Sequence, residues 1–250
     1  MIRIISKPLL QGTPKGSNPS QQPGTAFNYT QIFDGNAAIS RTALNTSNHL
    51  IEDKLDYAVK VQIDQIMRQM NTSFYFGRPV APADGVPGML GGLRYFLKQT
   101  GANAIDAAGA AISDTLLNNA LEQIFLDGGN PSWLAMNTNQ ARKSSAFNSD
   151  KIRIVQEDQR TGRAVYEFVG DLPLQGRVQG IVVEPNMPKT ELAILDPSKL
   201  RAVPLKNSGF KDMDATDKGF DGVARRIVGE YTLEVKNAKD GHGIIHGLQK

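Results

Sequence analysis

The sequence predicts an α+β fold: one long helix, a shorter second helix, and a second half rich in strands. Three observations carry this. Apolar residues keep helical spacing from Ile51 to Met70 with no Pro or Gly among them. A second apolar stripe with the same period follows Ser113. From Lys151 onward, short runs alternate apolar and polar residues between turn-forming clusters.

The elements follow in chain order. The first acidic residue is Asp34, and before it lie Arg3, Lys7 and Lys15 with Pro8, Pro14, Pro19 and Pro23. A weakly basic segment rich in Pro, Gly, Ser and Gln cannot bury enough apolar surface to offset its ordering entropy. Residues 1–25 therefore read as an extended arm without a core, either a tail or an arm that orders on a neighbouring subunit. In Phe27 to Leu44, aromatic and β-branched residues flank Asp34-Gly35-Asn36, the chemistry of a turn between two strands. The local prediction is a hairpin. An isolated hairpin is marginal in water, so this one needs a surface from another molecule. A lone hairpin bearing Phe27, Tyr29, Ile32, Phe33 and Ile39 would expose a contiguous apolar patch, which makes these five the candidate subunit-interface residues.

The long helix is placed from about Asn48 to Met70. Ile51, Leu55, Val59, Ile63, Ile66 and Met70 form its stripe, and Glu52, Asp53 and Asp56 sit where the helix dipole favours negative charge. Arg78 to Gly92, broken by three prolines and four glycines, is a loop. Its "GMLGG" lacks the Lys-Ser/Thr ending of a phosphate loop. The second helix starts at the N-cap Ser113, carries Leu116, Leu117, Ala120, Leu121, Ile124 and Phe125, and stops at Gly128 and Gly129. Trp133 to Met136 is a short strand and Thr138 to Phe147 a polar helix. A hairpin joins Ile152 and Ile154 to Val165–Val169 through a polar turn. Ile181 to Val183, Leu192 to Leu195, and a half-buried strand with Tyr231, Leu233 and Val235 on one face complete the list.

Composition narrows the function. There is no cysteine, which removes disulfides, thiolate metal sites and thiol nucleophiles and fits a reducing cytoplasm. No apolar signal region follows Met1, and the longest low-polarity run, Ala107 to Ile112, is too short to span a bilayer. A soluble intracellular chain without a membrane partner is expected. The net charge of +3 is spread with mixed sign, so no basic stripe marks a nucleic-acid surface. His242 and His246 have the spacing of a helical metal pair, but Gly241, Gly243 and Gly247 argue against a helix and no carboxylate completes the motif. Asp212, Asp214 and Asp217 lack the central Gly and final Glu of a calcium loop and read as a solvated acidic turn. No nucleophile elbow and no dinucleotide fingerprint occurs. The expectation is a structural protein with no catalytic, cofactor-binding or metal-binding residues.

The order of parts resembles the Hong Kong 97-type capsid fold. The words "NYTQIF" with "ISRTA", "GGLRYFL", "DGGNPSWLAMN", "LAILDPSKL", and "GEYTLEVKN" with "HGIIHGL" are similar to the major head proteins of tailed phages of the SU-ten type. The resemblance implies an N-terminal arm at 1–26, an E-loop hairpin at 27–47, a P-domain with spine helix at 48–100, an A-domain at 101–185, and returning P-domain strands with a C-terminal A-domain segment at 186–250. It further implies a homo-oligomer of pentamers and hexamers forming an icosahedral head around double-stranded DNA, which is held by weak non-specific contact. Decoration, portal or scaffold proteins are further candidate partners. Location in the virion capsid and assembly in the host bacterial cytoplasm are expected with it. A head decoration or tail-tube subunit is the rival reading.

Overall fold

The computed structural model describes residues 26–46, 53–100, 103–144, 152–158, 163–168, 178 and 180–250. The predicted arm and the predicted first residues of the long helix, with Ile51 and Glu52, lie outside the described residues.

The segment predicted as a hairpin is instead one strand, β1 (Gln31–Ser40), followed by a single helical turn, α1 (Arg41–Asn45), which Ser40 caps through Ala43 N–H. The long helix α2 (Lys54–Phe76) starts and ends later than predicted. Asp53 caps it by accepting from Leu55 N–H and Asp56 N–H, and Gly77 ends it. After the loop comes a helix not read from the sequence, α3 (Leu93–Thr100). A short strand β2 (Ala104–Asp106) leads to α4 (Asp114–Leu126), capped by Ser113 as expected. Then follow β3 (Trp133–Met136), α5 (Thr138–Ser144), and the predicted hairpin β4 (Ile152–Asp158) and β5 (Arg163–Phe168). The chain closes with β6 (Gly180–Val183), β7 (Leu192–Leu195), β8 (Leu200–Pro204), β9 (Lys211–Asp214), β10 (Gly222–Val235) and β11 (Gly243–His246). The acidic run at Asp212 and Asp214 is thus a strand and not a turn, with Asp212 held 2.6 Å from Arg225.

Two layers share the core. In the first, β10 runs through the middle of an antiparallel sheet. β1 lies along one side, and β9 and then β8 lie along the other. Helix α2 packs on this sheet, burying Val59 and Ile66 with Phe33, Ala37, Ile227 and Leu233. Gly35 owes its place to this packing. It sits in mid-strand opposite Ile227, and a Cβ there would meet Ile66 Cδ1 at 2.8 Å. Its small size admits the helix and marks no turn, so Asp34-Gly35-Asn36 runs straight through. The second layer is a mixed sheet in the order β2-β11-β7-β3-β6. All four residues of β7 are buried, and α4 covers the sheet with Leu117, Ala120, Leu121 and Ile124. Phe125, predicted on that stripe, is 41% exposed. Leu93 and Leu97 of α3 join the first cluster, which also contains Ala193 and Leu195 of β7.

Candidate assembly surface

The five predicted interface residues separate. Phe33 is buried in the subunit's own core, and Ile39 is half-buried on the same face of β1. Tyr29 is half-buried, its ring edge-on to Phe27 at 5.6 Å. Phe27 and Ile32 are 78% and 63% exposed. The correction concerns Phe33: strand alternation turns it inward to α2 while Ile32 faces out. The segment therefore contributes to the monomer fold as well as to its surface.

β1 is held to β10 along its whole length. Asp34 and Arg226 add a bidentate pair at 2.8 and 2.9 Å on the outer face. The hydrogen bond from Arg226 is the main cause that keeps the Asp34 carboxyl below its ordinary range. Thr232 donates to the Tyr29 carbonyl, Thr30 donates to Glu230, and Asn28 donates to the carbonyls of Gly91 and Leu233. The other edge of β1 has no paired strand among the described residues. A groove of about 690 Å³ borders its start, lined by Gln31, Ile32, Asp34, Arg68, Thr72 and Asn186 among others.

The two layers are joined by a buried carboxylate. Glu191, just before β7, is 3% exposed. Arg94 donates from Nε and Nη2 to its oxygens at 2.8–3.1 Å, Lys98 from Nζ at 2.8 Å, and Tyr75 from its hydroxyl at 3.1 Å. Burial pushes this carboxyl up, but the hydrogen bonds and charges of Arg94 and Lys98 outweigh burial and hold it below the ordinary range. Burial and the neighbouring carboxylate push the Tyr75 phenol well up, so it stays a donor. None of these residues was singled out from the sequence. Arg94 and Lys98 have helical i,i+4 spacing, but α3 itself went unread, and "KTELAIL" gives no sign that its Glu is buried.

His242 is fully buried; its Nδ1 accepts from Asp196 N–H at 3.1 Å and its Nε2 lies 3.3 Å from the Lys236 carbonyl. Burial lowers its pKa. His246 ends β11 beside Asp106, 3.6 Å away on β2. Among the described residues no group of three potential ligands could hold a metal ion, and no helix is long and apolar enough to cross a membrane.

A long helix laid on an antiparallel sheet beside a second, helix-covered sheet is the fold of Hong Kong 97-like phage capsids and encapsulins. The chain is similar to the holo-SrpI encapsulin complex from Synechococcus elongatus PCC 7942 (TM-score 0.63, 8% identity, covering 88% of this chain and 74% of that one). It is also similar to the procapsid of satellite phage P4 that includes the size determination protein (TM-score 0.61, 11% identity, covering 100% and 80%). The capsid asymmetric unit of cyanophage A-1(L) gives a TM-score of 0.62 at 11% identity, covering 88% and 78%. No curated protein matches the sequence. The family model described as SU10 major capsid protein matches residues 8–249, and the chain belongs to that family. It is a structural capsid protein that self-assembles into oligomers and resides in the virion capsid.

Proposed function

We propose that this subunit assembles, as pentamers and hexamers, into the icosahedral head that encloses the double-stranded DNA of a tailed bacteriophage. The observation that carries this reading is the edge of β1 left unpaired among the described residues, ten residues long, with Ile32 exposed on it and Phe27 just before it. An exposed edge of that length is a template for another chain unless Pro, Lys or a bulge blunts it, and "QIFDGNAAIS" contains no Pro or Lys. Phe27, Ile32 and the accessible parts of Tyr29 and Ile39 contribute to contacts between subunits, whereas Phe33 acts within the monomer. In domain terms, α2 with the β1, β8, β9 and β10 sheet serves as the P-domain, and α4 with the second sheet as the A-domain. The segment at 27–47 then belongs largely to the P-domain sheet. The chain works without catalysis, meets packaged DNA through weak contacts, assembles in the host cytoplasm, and takes portal, scaffold or decoration proteins as partners. Electron microscopy of the purified chain tests this reading. Closed shells built of five- and six-membered rings are expected; tubes, or no particles under any condition, would overturn it.

A further inference from the structure

Beside the Glu191 cluster, the end of α2 and the outer side of α3 enclose a surface pocket of about 220 Å³, lined by Phe76, Arg78, Arg94, Tyr95, Lys98 and Gln99. Among the described residues no carboxylate lines it. We propose that this pocket is a phosphate site for a nucleic-acid backbone.

Arg94 and Lys98 meet one buried carboxylate, and Arg78 makes no ion pair among the described residues. Three cations against one carboxylate leave an excess of two positive charges at the pocket. Glu191 also fixes where those charges stand. It engages Arg94 through Nε and Nη2, while Nη1 takes no part in that pair. Lys98 gives one contact to Glu191 and has three donors in all. Both side chains remain 36% exposed, so a ligand can reach them. Their positions are pre-organised by the buried carboxylate, which lowers the entropic cost of binding. Guanidinium and ammonium donors match phosphate oxygens. Phe76, 37% exposed, and Tyr95 add aromatic faces beside the cations, on which an unpaired base can stack, a contact that a bare anion cannot make. The site takes a phosphate by shape and charge, without base specificity.

The capsid reading bears on this proposal only in naming which nucleic acid reaches the pocket. The test is fluorescence anisotropy of a short labelled DNA, as a duplex and as a single strand, titrated with the purified full-length chain over a range of salt. Arg78→Gln removes one cation, and Gln99→Glu places a carboxylate in the pocket beside Arg94 and Lys98; neither replaces a member of the Glu191 cluster. Each should weaken binding several-fold, and Arg78→Gln should reduce the slope of log affinity against log salt by about 0.9, the value for one phosphate contact on duplex DNA. Lys218→Gln, an exposed cation between β9 and β10, should leave both quantities unchanged. Unchanged binding in Arg78→Gln and Gln99→Glu overturns the proposal, as does an equal loss in Lys218→Gln, which marks diffuse attraction. Binding of inorganic phosphate by calorimetry without DNA binding marks a small-anion site and overturns the nucleic-acid assignment. A chain that binds DNA here but never forms shells keeps the pocket and refutes the assembly reading instead.

Discussion

At Gly35 the sheet and the long helix approach so closely that a methyl group has no place to go. The nearest atom to a Cβ there is Ile66 Cδ1, and Ile66 is itself fully buried. Substitution by Ala must push α2 off the sheet or force Ile66 off its rotamer, at a cost of about 1–3 kcal/mol. Gly35→Ala should therefore lower the denaturant midpoint of the subunit. Had the residue formed a turn, as its neighbours Asp34 and Asn36 suggest, Ala would act through backbone strain without involving Ile66. Pairing Gly35→Ala with Ile66→Val, which clears the Cδ1 atom, should recover part of the loss only if the close approach is the cause. The composition of this segment was legible and its geometry was not. "Asp-Gly-Asn" has the same letters whether the glycine bends the chain or makes room for a helix, and Ile66, which decides between them, lies beyond any local window.

At the scale of elements, α4 was read correctly because every signal for it is local: the Ser113 cap, the apolar period and the glycine stop. The start of α2 was misplaced because several acidic residues lie near it in the sequence, and which one caps the helix is decided by geometry: Asp53 accepts from the first-turn amides. Helix α3 was missed because eight residues after a Gly-Gly pair give too few turns to show a period. Yet α3 supplies Arg94 and Lys98, which tie both layers to Glu191. The bond has a pH signature. The Glu191 carboxyl titrates below its ordinary value of 4.5 in the folded chain. Its contribution is complete above that value and is lost as pH falls through the folded one, because the unfolded chain takes up the proton first. His242 acts in the same direction at higher pH. Its folded pKa lies below the ordinary 6.5, so acidification below 6.5 favours the unfolded, protonated imidazole. Subunit stability should fall in two stages on acidification, read as denaturant midpoint against pH. Glu191→Gln should shrink the lower stage, which other depressed carboxyls such as Asp34 share, and leave the upper. At neutral pH, Arg94→Ala should cost about 3 kcal/mol, the low end for breaking a buried pair, because Lys98 still holds the carboxylate. A flat profile in the wild type, or a lower stage undiminished in Glu191→Gln, would refute this account of the cluster.

Across the whole molecule, the fold class and most strands were legible, and the pairing of distant parts was not. Asp34 meets Arg226, Asn28 meets the Leu233 carbonyl and Thr30 meets Glu230 across most of the chain, and nothing in any of these residues alone names its partner. That pairing makes β1 an edge strand among the described residues and sends Phe33 inward, so the assembly surface we propose is narrower than the five predicted residues. The proposal centres it on Phe27, Ile32 and the outward row of β1. Lysine on such an edge blocks pairing with another chain. Ile32→Lys with Ala38→Lys places two charges on that row, where both residues are exposed, and surface changes of this kind shift subunit stability by only about 0.5 kcal/mol. The most direct measurement is the particle mass of the purified wild-type chain and this double variant, by size-exclusion chromatography with light scattering over a range of concentration and salt. Shell-sized particles are expected from the wild type, and subunits or small rings with an unchanged denaturant midpoint from the variant. A wild-type chain that stays monomeric in every condition would contradict the central claim, and a variant that assembles as fully as the wild type would remove the β1 edge from the interface.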